Sequence, residues 1–292
     1  MRFGIIADAH LGPAGTRVPS FHIEYEMAET MVAYRLALRQ CVQENADGIL
    51  VPGDLSHSGD DESLKAGVRI AAETGLPVWM VSGNHDSFER MDALTRAVQR
   101  VGADNVHLAT PVGEEVGPGG LRVAGFSVAS GNWGYAAGPD GRPDVSSWKD
   151  EPVVWLTHYP MLSFADEVSR TDLIYGDDLE DLEEVAQPLL ERSGPTVVVS
   201  GHVHLRSTRV KGKVLQIACS AFIEPPFEIT FLDLERESDK TVIRTESVPL
   251  VPSLAFRLPA FSPPQQEWIF EAGAWRPVGS ADSGRERSAR TA

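Results

Sequence analysis

The sequence contains only two cysteines, Cys41 and Cys219, among 292 residues. Two cysteines cannot build a disulfide framework, so the expected compartment is a reducing cytoplasm. No apolar run comes near the roughly 20 residues that a membrane-spanning helix requires. The opening stretch, Met1 to Asp8, turns polar too soon for a signal peptide. No membrane partner is expected. Positive charge is also scarce: Lys plus Arg is 26 against 42 Asp plus Glu, a formal net charge of −16. Nucleic-acid polymers are bound largely by neutralising their phosphates with basic groups. This balance therefore argues against a DNA or RNA partner, but not against one small phosphate-bearing ligand. What is present, 42% hydrophobic and 23% charged residues, is the composition of a folded protein with a sizeable core.

The hydrophobic pattern predicts alternating strands and helices in the first third. Strands are expected at 3–7, 48–51 and 78–81, and helices at 24–45, 60–74 and 87–101. In the first helix Met27, Met31, Tyr34, Leu38 and Cys41 mark one face. This βαβαβα order implies an α/β layer with a partly parallel sheet. Further on, strands are expected at 121–128, 153–157, 196–200, 214–218, 227–232 and 241–248. A helix over 179–192 should be kinked or broken by Pro188. Asp233 to Lys240 reads as a turn, and the acidic run Asp177 to Glu184 as a solvated helix start. Hairpin-like strands late in the chain suggest a second sheet packed on the first. From about Pro249 prolines punctuate the chain, 268–278 could form a hairpin around Gly273, and 279–292 reads as a disordered tail. The domain expectation is a catalytic unit over 1–250 and a Pro-rich extension over 251–292. That tail could mediate a homodimer or pack near the site.

The informative residues follow the strands. The first strand leads into Asp8-Ala9-His10, the next into Gly53-Asp54 and the third into Gly83-Asn84-His85-Asp86. Strand 153–157 leads into His158, and strand 196–200 into Gly201-His202-Val203-His204. Ligands of open α/β sheets bind beyond the carboxyl ends of the strands, so all five clusters converge on one edge. The chain holds only eight His, and five of them lie in these clusters. Imidazole and carboxylate together suit Zn, Mn or Fe. Each cluster alone has an ordinary reading as a turn, a helix cap or a surface histidine. Their joint occurrence does not.

The ordered set Asp8-x-His10, Gly53-Asp54, Gly83-Asn84-His85-Asp86, His158 and Gly201-His202-x-His204 resembles the calcineurin-like metallophosphoesterases. The resemblance spans residues 8–204. It implies a four-layer α/β/β/α sandwich of two mixed sheets flanked by helices. It also implies two transition-metal ions, Mn, Fe or Zn. One ion would be held by Asp8, His10, Asp54 and His204, and the other by Asp54, Asn84, His158 and His202, with Asp54 as the bridge. His85 would face the substrate as general acid, and Asp86 would orient its ring. Two metals can clamp phosphoryl oxygens and activate water near neutral pH, and a protonated histidine can neutralise the departing oxygen.

Substrate contacts are less specified by the sequence. His57, just past Asp54, and His22, in the first long loop, could line the pocket. Asn132, Trp133 and Tyr135 fall in a Gly-rich loop whose aromatics could stack on a base or ring. Tyr159 is expected in the pocket wall. His107 reads as a surface residue, and Cys41 and Cys219 as packing. Phosphoprotein-directed members of the family carry an Arg soon after Gly-Asp, whereas here Leu55-Ser56-His57-Ser58 follows. A dianionic monoester gains from a bidentate Arg, and a monoanionic diester needs one less. The wording also resembles the bacterial cyclic nucleotide and glycerophosphodiester branch. The expected activity is therefore hydrolysis of a small phosphodiester. The alternatives are a phosphomonoesterase acting on a nucleotide or sugar phosphate, and a non-catalytic scaffold of the same fold.

Overall fold

The computed structural model describes residues 1–13, 27–117, 120–148, 150–171, 178–224, 226–237, 240–252 and 259–278. In chain order, β1 (Arg2–Ile5), α1 (Met27–Gln43), β2 (Gly48–Pro52), α2 (Asp61–Ala72), β3 (Val78–Val81), α3 (Ala93–Val101) and β4 (Val106–Leu108) form a run of alternating strands and helices. A short edge strand, β5 (Glu114–Val116), leads to β6 (Leu121–Gly125) and the small hairpin β7 (Ala129–Ser130) and β8 (Tyr135–Ala136). Then come β9 (Val153–Leu156), α4 (Ala165–Val168), α5 (Leu182–Glu191) and β10 (Thr196–Ser200). The chain closes with β11 (Ser207–Lys211), β12 (Val214–Ala218), β13 (Glu228–Arg236), β14 (Thr241–Pro249), β15 (Gln265–Glu271) and β16 (Ala274–Pro277).

One sheet has the order β16-β15-β14-β13-β1-β2-β3-β4 and the other β11-β12-β10-β9-β6-β5. In the first, β1 to β4 run parallel, and β13 to β16 add an antiparallel meander at β1. In the second, β12, β10, β9 and β6 are parallel, with β11 and β5 antiparallel at the edges.

Strand alternation assigns each face. Ile49, Val51, Val78 and Met80 pack against Leu38, Cys41, Leu64, Val68 and Leu94 of the helices. Their neighbours Leu50, Trp79 and Val81, with Phe3 and Ile5, face Val154, Leu156, Val197 and Val199 of the other sheet. Val153, Trp155 and Val198 turn outward onto Val185 and Leu189 of α5. The layers are α/β/β/α, and both central sheets are covered on both faces, as parallel strands rich in Val and Ile require.

Several expectations shift. The helix expected from Ser87 starts only at Ala93, because His85 to Ser87 form a 3-10 turn instead. Helix α5 runs through Pro188 and stops one turn later at Glu191; proline removes one N–H, a loss that a final turn tolerates. Strand β13 continues to Arg236, which shortens the turn before β14, because Leu234 is buried between the sheets. The short strands β4 and β5 and the half-exposed β11 had no signal long enough to read. The hairpin around Gly273 is present and extends the first sheet at β14. The tail 279–292 lies outside the described residues. Among the described residues no helix is long and apolar enough to cross a membrane.

Candidate metal centre

The loops after β1 and β2 travel together. Ile6 N–H donates to the Leu50 carbonyl at 3.1 Å, His10 N–H to that of Asp54 at 2.9 Å, and Leu11 N–H to that of Leu55 at 2.8 Å. This pairing sets Asp8 and His10 beside Asp54. The loop after β3 joins them because His85 N–H donates to Asp54 Oδ1 at 2.9 Å. The loop after β10 joins because His202 N–H donates to Asp8 Oδ1 at 3.0 Å.

The backbone is bent for this purpose. Asp8, His10, Asp54, His202 and His204 all have left-handed φ, between 46° and 68°. Non-glycine residues seldom adopt this region, and such strain clusters at functional sites. Two glycines allow the carboxylates in. A Cβ on Gly83 would sit 2.1 Å from Asp54 Oδ1, and one on Gly201 2.4 Å from Asp8 Oδ2.

The result is a buried knot of acid and imidazole. Asp54 Oδ2 lies 3.3 Å from His158 Nε2 and 3.6 Å from His10 Nε2. Asp8 Oδ1 lies 3.8 Å from His204 Nε2 and 3.9 Å from His158 Nδ1. Asn84 Oδ1 is 2.9 Å from His158 Nε2, whose other ring nitrogen meets the Pro52 carbonyl at 3.0 Å. The ligand-type atoms of Asp8, His10 and His204 lie within 4.8 Å of one another, as do those of Asp8, Asp54 and His158 and those of His10, His57 and His85. The site thus gathers Asp8, His10, Asp54, Asn84, His158, His202 and His204 from five strand ends.

Burial shapes the charges. It pushes the Asp8 carboxyl up to about 7 despite the opposing His158. Asp54, equally buried, is nevertheless held below the usual carboxylate range by His158, His85 and His10. Burial lowers His158, but Asp54 and Asp8 more than offset it, leaving about 9. Burial also drives His10 well below its ordinary value and His57 down to about 4, with His85 adding to both. The donor set fits cations. Asp8 Oδ2 is buried without a hydrogen-bond partner, and a buried polar atom left so is costly unless something charged meets it.

The His85 ring is fixed by a carbonyl: its Nδ1 is 2.7 Å from the His57 oxygen. The expectation that Asp86 orients this ring is corrected. Both Asp86 oxygens are taken up by the loops, accepting from Ser56 N–H at 2.7 Å, Ser56 Oγ at 3.2 Å, Gly83 N–H at 3.0 Å and Leu55 N–H at 3.2 Å. Asp86 therefore ties the loop that carries Asp54 to the loop that carries Asn84 and His85.

The expected substrate contacts separate. His57 stands at the site, its ring 5.1 Å from that of His85 and 5.6 Å from that of His10. Tyr159 is only 4% exposed and stacks at 3.8 Å on His202. Asn132 is exposed at the tip of the β7–β8 hairpin. His22 lies outside the described residues. Sequence reasoning missed Phe88, whose ring centre is 4.4 Å from that of His85; its only signal was the i+3 spacing. It also missed a clamp within the acidic run. Glu180 accepts N–H bonds from Asn132, Trp133 and Gly134, and Asp181 accepts from Ala137 and Gly138. His107 stacks on Trp79 at 5.9 Å, away from the site.

A calcineurin-like phosphoesterase family model matches residues 1–206. A probable cyclic nucleotide phosphodiesterase of Synechococcus sp. is 26% identical over 235 residues, covering 72% of this chain and 84% of that protein. The DNA double-strand break repair protein Mre11 of Archaeoglobus fulgidus is 27% identical over 111 residues, only 24% of that protein. Among solved structures, a dimetal phosphatase from Danio rerio superposes with a TM-score of 0.58 at 15% identity, covering 85% of this chain and 98% of that one.

Proposed function

The chain belongs to the calcineurin-like phosphoesterases and is a metal-dependent hydrolase of phosphoric esters, and from that premise we propose that it hydrolyses a small phosphodiester, of the cyclic nucleotide or glycerophosphodiester type. The observation that carries the reading is Asp54, whose one oxygen faces both His10 and His158 while its other is held by His85 N–H. That placement supports Asp54 as the residue shared by two ions, one held with Asp8, His10 and His204 and the other with Asn84, His158 and His202. Mn, Fe or Zn suits these donors. When bound, such a pair supplies charge neutralisation on the phosphoryl oxygens and activation of water.

The protein's own groups do the rest. His85 donates its Nδ1 hydrogen to the His57 carbonyl, which fixes the ring and makes Nε2 the nitrogen that would carry the proton given to the departing oxygen. The loop-tying carboxylate of Asp86 holds His85 at the edge of the knot. His57, beside His85, is a substrate contact in this reading, as is Asn132 at the hairpin tip.

A diester is favoured over a monoester because Leu55-Ser56-His57-Ser58-Gly59 follow Gly53-Asp54 with no Arg to clamp a dianion. A dianion would be less well served there. The relative named as a probable cyclic nucleotide phosphodiesterase supports the same class. The charge of −16 supports a small substrate rather than a polymer. Residues 1–250 form the catalytic unit in this reading, and the hairpin β15–β16 buttresses its sheet edge. Two buried, free thiols, Cys41 and Cys219, agree with a reducing cytoplasm.

The test is turnover of bis(p-nitrophenyl) phosphate against p-nitrophenyl phosphate after metal is stripped and Mn²⁺ restored. The diester should be preferred. A preference for the monoester would overturn the diesterase reading and point to nucleotide or sugar monophosphates.

A further inference from the structure

Two aromatic side chains contact the Asn84–His85 dipeptide, and a third lies two residues along the chain from one of them. Phe88 lies against His85, with ring centres 4.4 Å apart, yet its side is open: the residue is 55% exposed. On the other flank Tyr135 donates its hydroxyl to the Asn84 carbonyl at 3.2 Å and is only partly buried. Two residues before it, at the hairpin tip, Trp133 is 95% exposed, the most exposed large apolar side chain among the described residues.

An indole left in water on a floppy loop would mean little. This one is on a braced loop. Glu180 accepts from three successive backbone N–H groups, those of Asn132, Trp133 and Gly134, and these bonds pull its carboxyl below the ordinary range. Gly131 N–H donates to the Gly134 carbonyl at 3.0 Å, and Asp181 secures Ala137 and Gly138. Five of these six backbone N–H groups thus bind acidic side chains just ahead of α5. A braced backbone removes the cost of ordering the loop on binding, and an aromatic side chain with few rotatable bonds adds little more.

We propose that Phe88, Tyr135 and Trp133 form an aromatic rim that binds a planar ring carried by the phosphoester, such as a nucleobase or aryl group, while the phosphate lies over the Asp–His knot. The inference rests on the function proposed above only in placing the phosphate. The ring is bound through its faces, so the rim reads planarity rather than a hydrogen-bond pattern. Substrates with a small aliphatic group, such as glycerol, lose this contact.

The experiment compares adenosine 5′-monophosphate with ribose 5-phosphate on the full-length, Mn²⁺-restored protein by calorimetric titration. The two ligands share phosphate and sugar and differ by one planar base. The account expects the nucleotide to bind at least about fivefold more tightly, the lower end of base-on-aromatic stacking. Phe88→Leu and Trp133→Ala should each bring the ratio toward 1, and Phe88→Tyr, which keeps the ring, should preserve it. Equal affinities in the native protein, or no measurable binding of either ligand, would overturn the rim. So would a ratio that survives both Phe88→Leu and Trp133→Ala. A protein that hydrolyses diesters but binds both ligands equally keeps the activity and loses the rim. One that shows the preference without diester turnover keeps the rim and loses the activity.

Discussion

His158 Nε2 and Asp54 Oδ2 are 3.3 Å apart although they come from strands in different sheets, β9 and β2. Both groups are fully or almost fully buried, at 0% and 2% exposed. Taking two such groups out of water is expensive, and their mutual attraction rarely returns the whole cost. A site of this kind is better explained by what it binds than by what it stabilises. The two sheets meet at this pair, so the inter-sheet core and the metal centre are one structural unit.

The closest approaches in that unit depend on two missing side chains. Gly83→Ala would drive a methyl to 2.1 Å from Asp54 Oδ1, and Gly201→Ala to 2.4 Å from Asp8 Oδ2. Each variant should weaken metal binding by tenfold or more, read by competition with a metal chelator. Wild-type affinity in both would show that the loops can give way.

Asp86 should matter to folding as much as to catalysis. It is fully buried and accepts four hydrogen bonds from two loops. Hydrogen bonds to a charged group contribute about 1.5–3 kcal/mol each, without strict additivity. Asp86→Ala should lower stability in urea denaturation by about 3 kcal/mol or more. A loss under about 1 kcal/mol would mean that the two loops are held by other contacts.

These contacts mark the limit of what the sequence can say. The five clusters at the strand ends were legible because short continuous apolar runs place strands buried on both faces, and strand ends place the residues that follow them. The two-sheet sandwich followed from the family resemblance, whereas the late hairpin strands β13 to β16, expected in a second sheet, instead extend the first at β1. The task of Asp86 was not, because a carboxylate beside a histidine in sequence can turn either way, and here four backbone and side-chain donors outbid the ring. Tyr159 adjoins His158 in sequence but stacks on His202, since adjacent residues point apart. The Glu180 clamp joins residues 46 to 48 positions apart, and no local pattern announces such a contact.

His85→Ala should retain both metals and lose turnover by about 10²–10⁴-fold, the usual contribution of general acid catalysis. The loss should be steepest for esters with poor leaving groups, compared across a series of aryl phosphodiesters. A uniform loss, independent of the leaving group, would remove the acid role from His85.

The metal-free protein should become less stable as pH rises. Ordinary histidine titrates near 6.5, whereas His158 holds its proton to about 9 in the folded state. Between these values the folded chain binds a proton that the unfolded chain has released, so stability falls with rising pH. Asp8, pushed up from 3.8 to about 7 by burial, acts in the same direction at lower pH. Thermal melts of the stripped protein should therefore show Tm falling from pH 7 to pH 9, and His158→Asn should flatten the upper part of that slope. A Tm that rises over this window would contradict the assignment of the proton to His158.

The most direct test of the account is metal content per chain, measured by elemental analysis after stripping and saturating with Mn²⁺, in the native protein and in Asp54→Ala. The account predicts two ions in the native protein and the loss of both when the shared carboxylate is removed. Two ions retained in Asp54→Ala would contradict the central claim that Asp54 joins the two halves of the site.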